Sequence, residues 1–520
     1  MSEFVKEIIF FAKKKTFTFG EDRRIRALRA IDSEPCEPMT TGICVLDENS
    51  VSTLKIYSKT EERIMKKMVS VCLAATVLLT LLLSLTACGK KDKNIPSETF
   101  GGMTISIADT WGQDLTPGLD DATDRLIAKI KAVEEKYDIK FEWRKIDEAP
   151  YWNNMASTIM ANTPHGDIMY AFPWMMYDWI KADAVMDVSA LAKELGIDFK
   201  DGTWNAFAAE ENTLDGKIFG FSKRPQDSQS GLVYNKKLFA AAGLEDPNVL
   251  AAQGKWDFAA LEQYAKALTR QGADGKNTQW GLTTTDNHWL MTTFVASNGG
   301  QSIDFSQTPP AIALDSPKSL EALEVFNRML NQDKTLLSHA FGTDWKITPD
   351  AFVSGTVGMI HTQEWVIAYI RDKMMEADRG EEYGFTYFPK GSGAEDFINS
   401  SSGANCYFLP GNLEPERARA ALLVYKELFA TDGKDDFTME EQIMLTAESL
   451  FADEASVNTY VDLVSKKKTV GNGASRVGLR EPFMDLSALF VLNEGTPQAI
   501  IAQEKPTLQG AINDSVFVKK

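Results

Sequence analysis

Strict alternation of apolar residues, interrupted by one stretch of helical spacing, constrains this chain most. Met103, Ile105 and Ile107 alternate up to Asp109, so their side chains share one face of a strand. From Arg125 to Tyr137 the apolar Leu126, Ile130, Val133 and Tyr137 recur at helical spacing, and Ile139, Phe141 and Trp143 then alternate again. Strand, helix and strand of these lengths make the crossover that joins parallel strands. Tyr151 to Ala161 reads as a further helix and Gly166 to Tyr170 as a short buried strand. Continued, this rhythm gives an α/β protein with parallel sheets. Tight turns at Asp215-Gly216-Lys217 and Asp274-Gly275-Lys276-Asn277 punctuate it; the second lacks the terminal acid of a calcium loop. There is no internal repeat or low-complexity tract.

Composition narrows the function. The formal charge of −18 opposes a nucleic-acid partner, because phosphate binding needs clustered Lys and Arg. Five cysteines (Cys36, Cys44, Cys72, Cys88, Cys406) form no CxxC pair and sit at no metal-ligand spacing from the four histidines. No metal and no cofactor are therefore expected. Serine-hydrolase, zincin, phosphate-loop and dinucleotide motifs are missing; His361-Thr362-Gln363-Glu364 lacks the second His of a zinc helix. The expectation is a protein that is not an enzyme. A secreted glycoside hydrolase stays open, since it needs only two carboxylates about 5–10 Å apart and a chain this acidic always offers a pair.

A targeting segment sets the compartment. Met65-Lys66-Lys67-Met68 is followed by an apolar run from Val69 to Leu85 and by Leu85-Thr86-Ala87-Cys88. A basic start, an apolar middle shorter than a membrane span and small residues before a cut site make a secretory signal. The ending resembles the lipobox of bacterial lipoproteins, which implies that Cys88 is acylated and becomes the new N-terminus. Residues 65–87 would then be the signal peptide and 88–100, with Lys90, Lys91, Asp92, Lys93, Asn94 and Pro96, a polar tether off the membrane. Residues 1–64 fit neither part; translation is expected to start at Met65 or Met68. Cys406 would remain without a partner, as a small buried apolar residue.

Several blocks, in order, resemble family 1 extracellular solute-binding proteins, the group that includes maltodextrin-binding proteins. Asn162-Thr163-Pro164-His165-Gly166-Asp167 resembles the family's helix-to-strand turn, with two residues between Pro and Asp. Asp215-Gly216-Lys217-Ile218-Phe219-Gly220 followed by Tyr234-Asn235-Lys236-Lys237-Leu238-Phe239 and Gly243-Leu244 is the most specific pair. Trp256-Asp257-Phe258 matches a helix start with Asp257 as its cap, and Phe352-Val353-Ser354-Gly355-Thr356-Val357-Gly358-Met359 a later strand. Tyr383-Gly384-Phe385 to Phe388-Pro389-Lys390-Gly391 and Pro415-Glu416-Arg417-Ala418 complete the series.

The resemblance implies a two-lobe periplasmic-binding-protein-like fold of type II, with a ligand cleft between lobes joined by hinge strands. Mapped block by block, one lobe takes 101–221 and 403–470 and the other 222–398 and 471–520. Phe221-Ser222-Lys223 and residues 399–402 are hinge candidates, and a third crossing is expected near Gly471-Asn472-Gly473. It also implies delivery of a small solute, of the sugar or oligosaccharide kind, to the permease subunits of an ABC importer by a lipid-anchored monomer. A sensor built on the same scaffold is the alternative.

Sugars present apolar C–H faces and a rim of hydroxyls, which aromatic rings and polar side chains match. Trp365, beside Gln363 and Glu364, resembles a ligand-stacking Trp of sugar-binding relatives. Trp289 with Asn287, Asp109 with Trp111 after the first strand, and Phe172 with Trp174 after the next are further candidates. Arg224 and Asp227, with Gln226, follow the first hinge; Asn405 and Phe483 are weaker choices.

Overall fold

The computed structural model describes residues 98–226, 230–339, 343–431, 433 and 436–515. The segment 1–97, with Cys88, and Asp227 lie outside the described residues. The chain opens with β1 (Met103–Asp109), α1 (Asp121–Tyr137), β2 (Ile139–Lys145), α2 (Glu148–Met160), β3 (Ile168–Ala171) and α3 (Pro173–Lys181). Helix α1 starts one turn before the apolar pattern because the Asp120 carboxylate accepts from the Thr123 N–H and caps it.

Next come β4 (Gly231–Asn235), α4 (Phe258–Leu268), β5 (Asn277–Thr284), α5 (Asn287–Ser297), β6 (Leu336–Leu337), β7 (Val357–Thr362), α6 (Glu364–Glu376) and β8 (Tyr383–Thr386). Asp257 caps α4 by accepting from the Ala260 N–H at 2.9 Å. Later elements that build the two lobes are β9 (Ile398–Ser401), β10 (Cys406–Phe408), α7 (Pro415–Leu428), α8 (Met439–Leu450), α9 (Glu454–Ser465), β11 (Lys468–Gly471), α10 (Arg480–Val491) and α11 (Pro497–Asn513).

Two large sheets result. In the first, β10, β3, β1 and β2 lie side by side; β1 runs parallel to β2 and β3, and β10 closes the edge antiparallel. In the second the order is β6, β5, β7, β4, β8, with β4 antiparallel to both neighbours. Both sheets are buried on both faces, which is why their strands are apolar nearly throughout. Ile105, Ile107, Ile168 and Tyr407 face one core, and Ala108, Met169, Cys406 and Phe408 the other. Cys406 is buried there as a free thiol, its pKa pushed up by burial. On the second sheet Leu232, Tyr234 and Met359 face one core while Val233, Ile360 and Phe385 face its opposite.

The chain passes between the sheets three times. It leaves the first after Phe221, which bridges to Tyr407, and enters the second at Gly231. It returns through β9 to β10. The third passage runs between α7 and α8, and not near Gly471-Asn472-Gly473 as the glycines suggested. Helices α8 and α9 were expected in the first lobe, but Ile443, Ala447, Leu450, Tyr460 and Leu463 pack with Val233, Ile360 and Phe385 of the second sheet. Their apolar stripes required a partner surface without specifying which. Residues 468–471 instead form β11, which pairs in parallel with β9 and extends the second crossing. Among the described residues no helix is long and apolar enough to cross a membrane.

Candidate functional site

A cavity of about 330 Å³ opens between the two sheets. Its first wall carries Tyr170 near the end of β3, Tyr407 from β10, Asn205, and Ser222, Arg224 and Gln226 from the first crossing. Asn405 joins them from the second crossing. The opposite wall is built from helices of the second lobe: Glu364 opens α6, Gln442, Ile443 and Thr446 line one side of α8, and Tyr460 belongs to α9. The carboxyl end of β3 and the amino end of the antiparallel β10 beside it supply the first wall, at the edge of the sheet where ligands of open α/β sheets usually bind. The arrangement can enclose a small molecule between apolar rings and a set of amides, hydroxyls and two charged groups.

On the first wall the Arg224 guanidinium lies over the Tyr407 ring, 5.9 Å from its centroid. On the second, Glu364 accepts a hydrogen bond from the Tyr460 hydroxyl. Behind Tyr170 stands a bank of rings. Trp111 meets Tyr170 edge-on at 4.9 Å and Phe172 at 6.0 Å, and Phe172 stacks on Trp174 at 4.5 Å. Trp111 is 52% exposed. Asp109 does not face the cavity with free oxygens. It accepts from the Trp111 and Gly112 backbone N–H groups and from Trp143 Nε1, which braces the loop that presents Trp111.

Trp365, 47% exposed, follows Glu364 at the mouth of α6; its Nε1 donates to Gln363 Oε1 at 2.9 Å and its ring meets Trp345 edge-on. Of the residues singled out from the sequence, Arg224, Glu364, Gln226 and Asn405 line the cavity. Trp111 and Trp365 adjoin lining residues. Phe172 and Trp174 form the layer beneath, and Arg480 of the second lobe covers Trp174 at 5.0 Å. Trp289 is half-buried against His288. Asn287 is buried and clasps the His339 backbone, donating to its carbonyl and accepting from its N–H. Phe483 is buried in the second-lobe core and is withdrawn from the site.

Sequence reasoning missed Tyr170, Tyr407, Asn205, Gln442, Thr446 and Tyr460. The strand-end rule that selected Phe172 would have reached Tyr170, two residues earlier. Gln442, Thr446 and Tyr460 sit on amphipathic helices and carry no local mark.

A family model described as bacterial extracellular solute-binding protein matches residues 128–460. The chain belongs to that family. Solved structures agree with this solute-binding protein in fold. The GacH receptor of Streptomyces glaucescens, studied unliganded and with acarbose, shares 17% identity and a TM-score of 0.55, over 80% of this chain and 99% of that one. Lmo0181 from Listeria monocytogenes, in complex with cycloalternan, shares 18% and 0.54 over 79% and 99%. The cyclic α-maltosyl-1,6-maltose binding protein from Arthrobacter globiformis shares 14% and 0.57 over 80% and 100%. No curated protein sequence matches this chain.

Two titratable groups of this solute-binding protein, one in each lobe, are buried. Glu211 of the first lobe has one oxygen 3.8 Å from Arg476 Nη1, and its Oε2 has no hydrogen-bond partner among the described residues. Burial pushes this carboxyl up to about 7, against the pull of Arg476. Strand β11 approaches so closely that a Cβ on Gly471 would lie 2.6 Å from Glu211 Oε1. In the second lobe, His361 Nδ1 lies 3.2 Å from Thr284 Oγ1, and burial pushes its imidazole down to about 3, so the ring is neutral.

Proposed function

We propose that this extracytoplasmic protein takes a small hydroxylated solute, a sugar or oligosaccharide, into the cleft and delivers it unchanged to the permease subunits of an ABC importer. The observation that carries the reading is one cavity lined from both lobes, Tyr170, Tyr407 and Arg224 on one side and Glu364, Gln442 and Thr446 on the other. A ligand touching both walls favours the closed arrangement by its contacts to the second wall, and closure about the crossings is the signal a permease reads. The similar folds seen with acarbose and cycloalternan, and that of a cyclic α-maltosyl-1,6-maltose binding protein, support a carbohydrate. Acylation of Cys88 would hold the monomer at the membrane surface, and no bond of the solute is made or broken.

Thermal denaturation against a panel of sugars tests the reading. A ligand that binds only the folded state, present at 100 times its Kd, adds about 2.7 kcal/mol of stability. Trp111 and Trp365 provide a second readout, since both indoles are exposed and a ligand between the lobes alters their fluorescence. A shift produced only by amino acids or peptides would remove the carbohydrate. Turnover of a bound sugar would remove the transport role. Mass spectrometry of the native product decides whether Cys88 carries acyl chains.

A further inference from the structure

Arg224 differs from the other arginines that bridge this molecule. Arg328, Arg379, Arg417 and Arg419 each hold a carboxylate, from Glu262, Glu382, Asp167 and Glu98 respectively. Arg224 is exposed to the cleft and has no carboxylate partner among the described residues, although it lines the cavity and lies over Tyr407. The nearby acid, Asp109, is committed to the Trp111, Gly112 and Trp143 N–H groups. Around the guanidinium stand neutral groups that accept or donate without charge: Asn205, Gln226 and Asn405, with the phenols of Tyr170 and Tyr407. An arginine is always protonated and presents a planar fork that fits a carboxylate or sulfate through two parallel hydrogen bonds. A guanidinium over the Tyr407 ring, in the cavity lining and facing no carboxylate among the described residues, suits an anionic ligand group.

The second wall shows the reverse polarity. Its ionisable residue is Glu364, held by the Tyr460 hydroxyl. A ligand anion would be repelled there, while sugar hydroxyls would donate to that carboxylate. The two walls together accept a molecule that is anionic at one end and hydroxylated at the other, in one orientation.

We infer that the solute carries one anionic group, the carboxylate of an acidic sugar residue or a sugar sulfate, which Arg224 clamps against the first wall while Glu364 receives hydroxyls. This rests on the carbohydrate reading given above and narrows it to acidic sugars.

Titration calorimetry on the protein with neutral, uronic and sulfated oligosaccharides of matched length tests it. An acidic probe should bind more tightly than its neutral counterpart. Its affinity should fall as salt rises, whereas that of any neutral binder should not. Arg224→Met should weaken the acidic probe on the order of 100-fold and a neutral binder no more than about threefold. Arg224→Lys, which keeps the charge and loses the fork, should fall between. The uronic and sulfated arms tell the two anions apart. The salt dependence is read on the unaltered protein, so it holds even if a variant fails to fold. The inference is overturned, with the carbohydrate reading intact, if neutral sugars bind as tightly as acidic ones or if Arg224→Met leaves the acidic probe unaffected. Binding by no sugar of any kind overturns both.

Discussion

The two walls of the cleft are made by different means. The first is an extension of a sheet core: Tyr170 and Tyr407 are nearly buried, pack edge to face at 5.5 Å, and continue into Phe172, Trp174 and Trp111. The second is a helical surface, where Gln442 and Thr446, one turn apart on α8, face the cavity and the apolar Ile443 and Ala447 anchor the same helix to the sheet. A wall built into a core is rigid and hard to vary without unfolding the lobe. A wall made of the polar side of a helix varies freely. Shape at the first wall and hydrogen bonding at the second are therefore separable properties of one site.

Mutations can break this contrast if it is wrong. The largest effect is expected for Tyr407→Ala, which removes a ring from the first-lobe core and should cost about 3–5 kcal/mol in urea unfolding. Little loss would show that the first wall is not part of the core. Next is the opposite pH response of the two buried groups. The Glu211 carboxyl is raised in the folded protein, so the folded state binds the proton more tightly than the unfolded one. Its contribution is fully present below about pH 4.5 and is lost as pH rises to about 7. The His361 imidazole is lowered, so stability is lost as pH falls from about 6.5 towards about 3. Glu211→Gln should remove a decline of order 3 kcal/mol between pH 4.5 and 7 and leave the acid limb in place. Melting temperatures across that range read it directly, and an unchanged slope would place the titration elsewhere.

Binding effects come third. Trp111→Ala and Trp365→Ala should each weaken the ligand about tenfold, roughly 1.4 kcal/mol, with melting temperatures little changed because both residues are about half exposed. A loss confined to Trp111 would mean that stacking belongs to the first wall alone. The smallest effect is on stability at the second wall: Gln442→Ala and Thr446→Ala should each change it within about 0.5 kcal/mol while altering which sugars bind. A cooperative loss of folding in either would erase the distinction between the walls.

Much of the fold was legible locally. Alternation at Met103–Ile107 and Ile139–Trp143 marked β1 and β2, and Asp257 marked the start of α4. The caps and turns were equally local. The cavity lining was legible only where a polar residue stood at a junction, as Arg224 does in the first crossing and Glu364 at the first turn of α6. Aromatic residues misled more often, because a ring at a strand end looks the same whether it meets solvent, as Trp111 does, or lies beneath another ring, as Trp174 does. Asn287 was chosen for its polarity and is spent on the His339 backbone.

The sequence by itself determined the α/β class and the order of the first elements, since periodicity and turn chemistry act over a few residues, and its ordered motif blocks carried the resemblance to the family. Only the tertiary structure decided which lobe receives α8 and α9, where the third crossing runs, and which polar side chains meet across the cavity. An amphipathic helix specifies that one face must be covered, and many surfaces satisfy that equally. The choice among them is made by long-range packing, which no short stretch of chain contains.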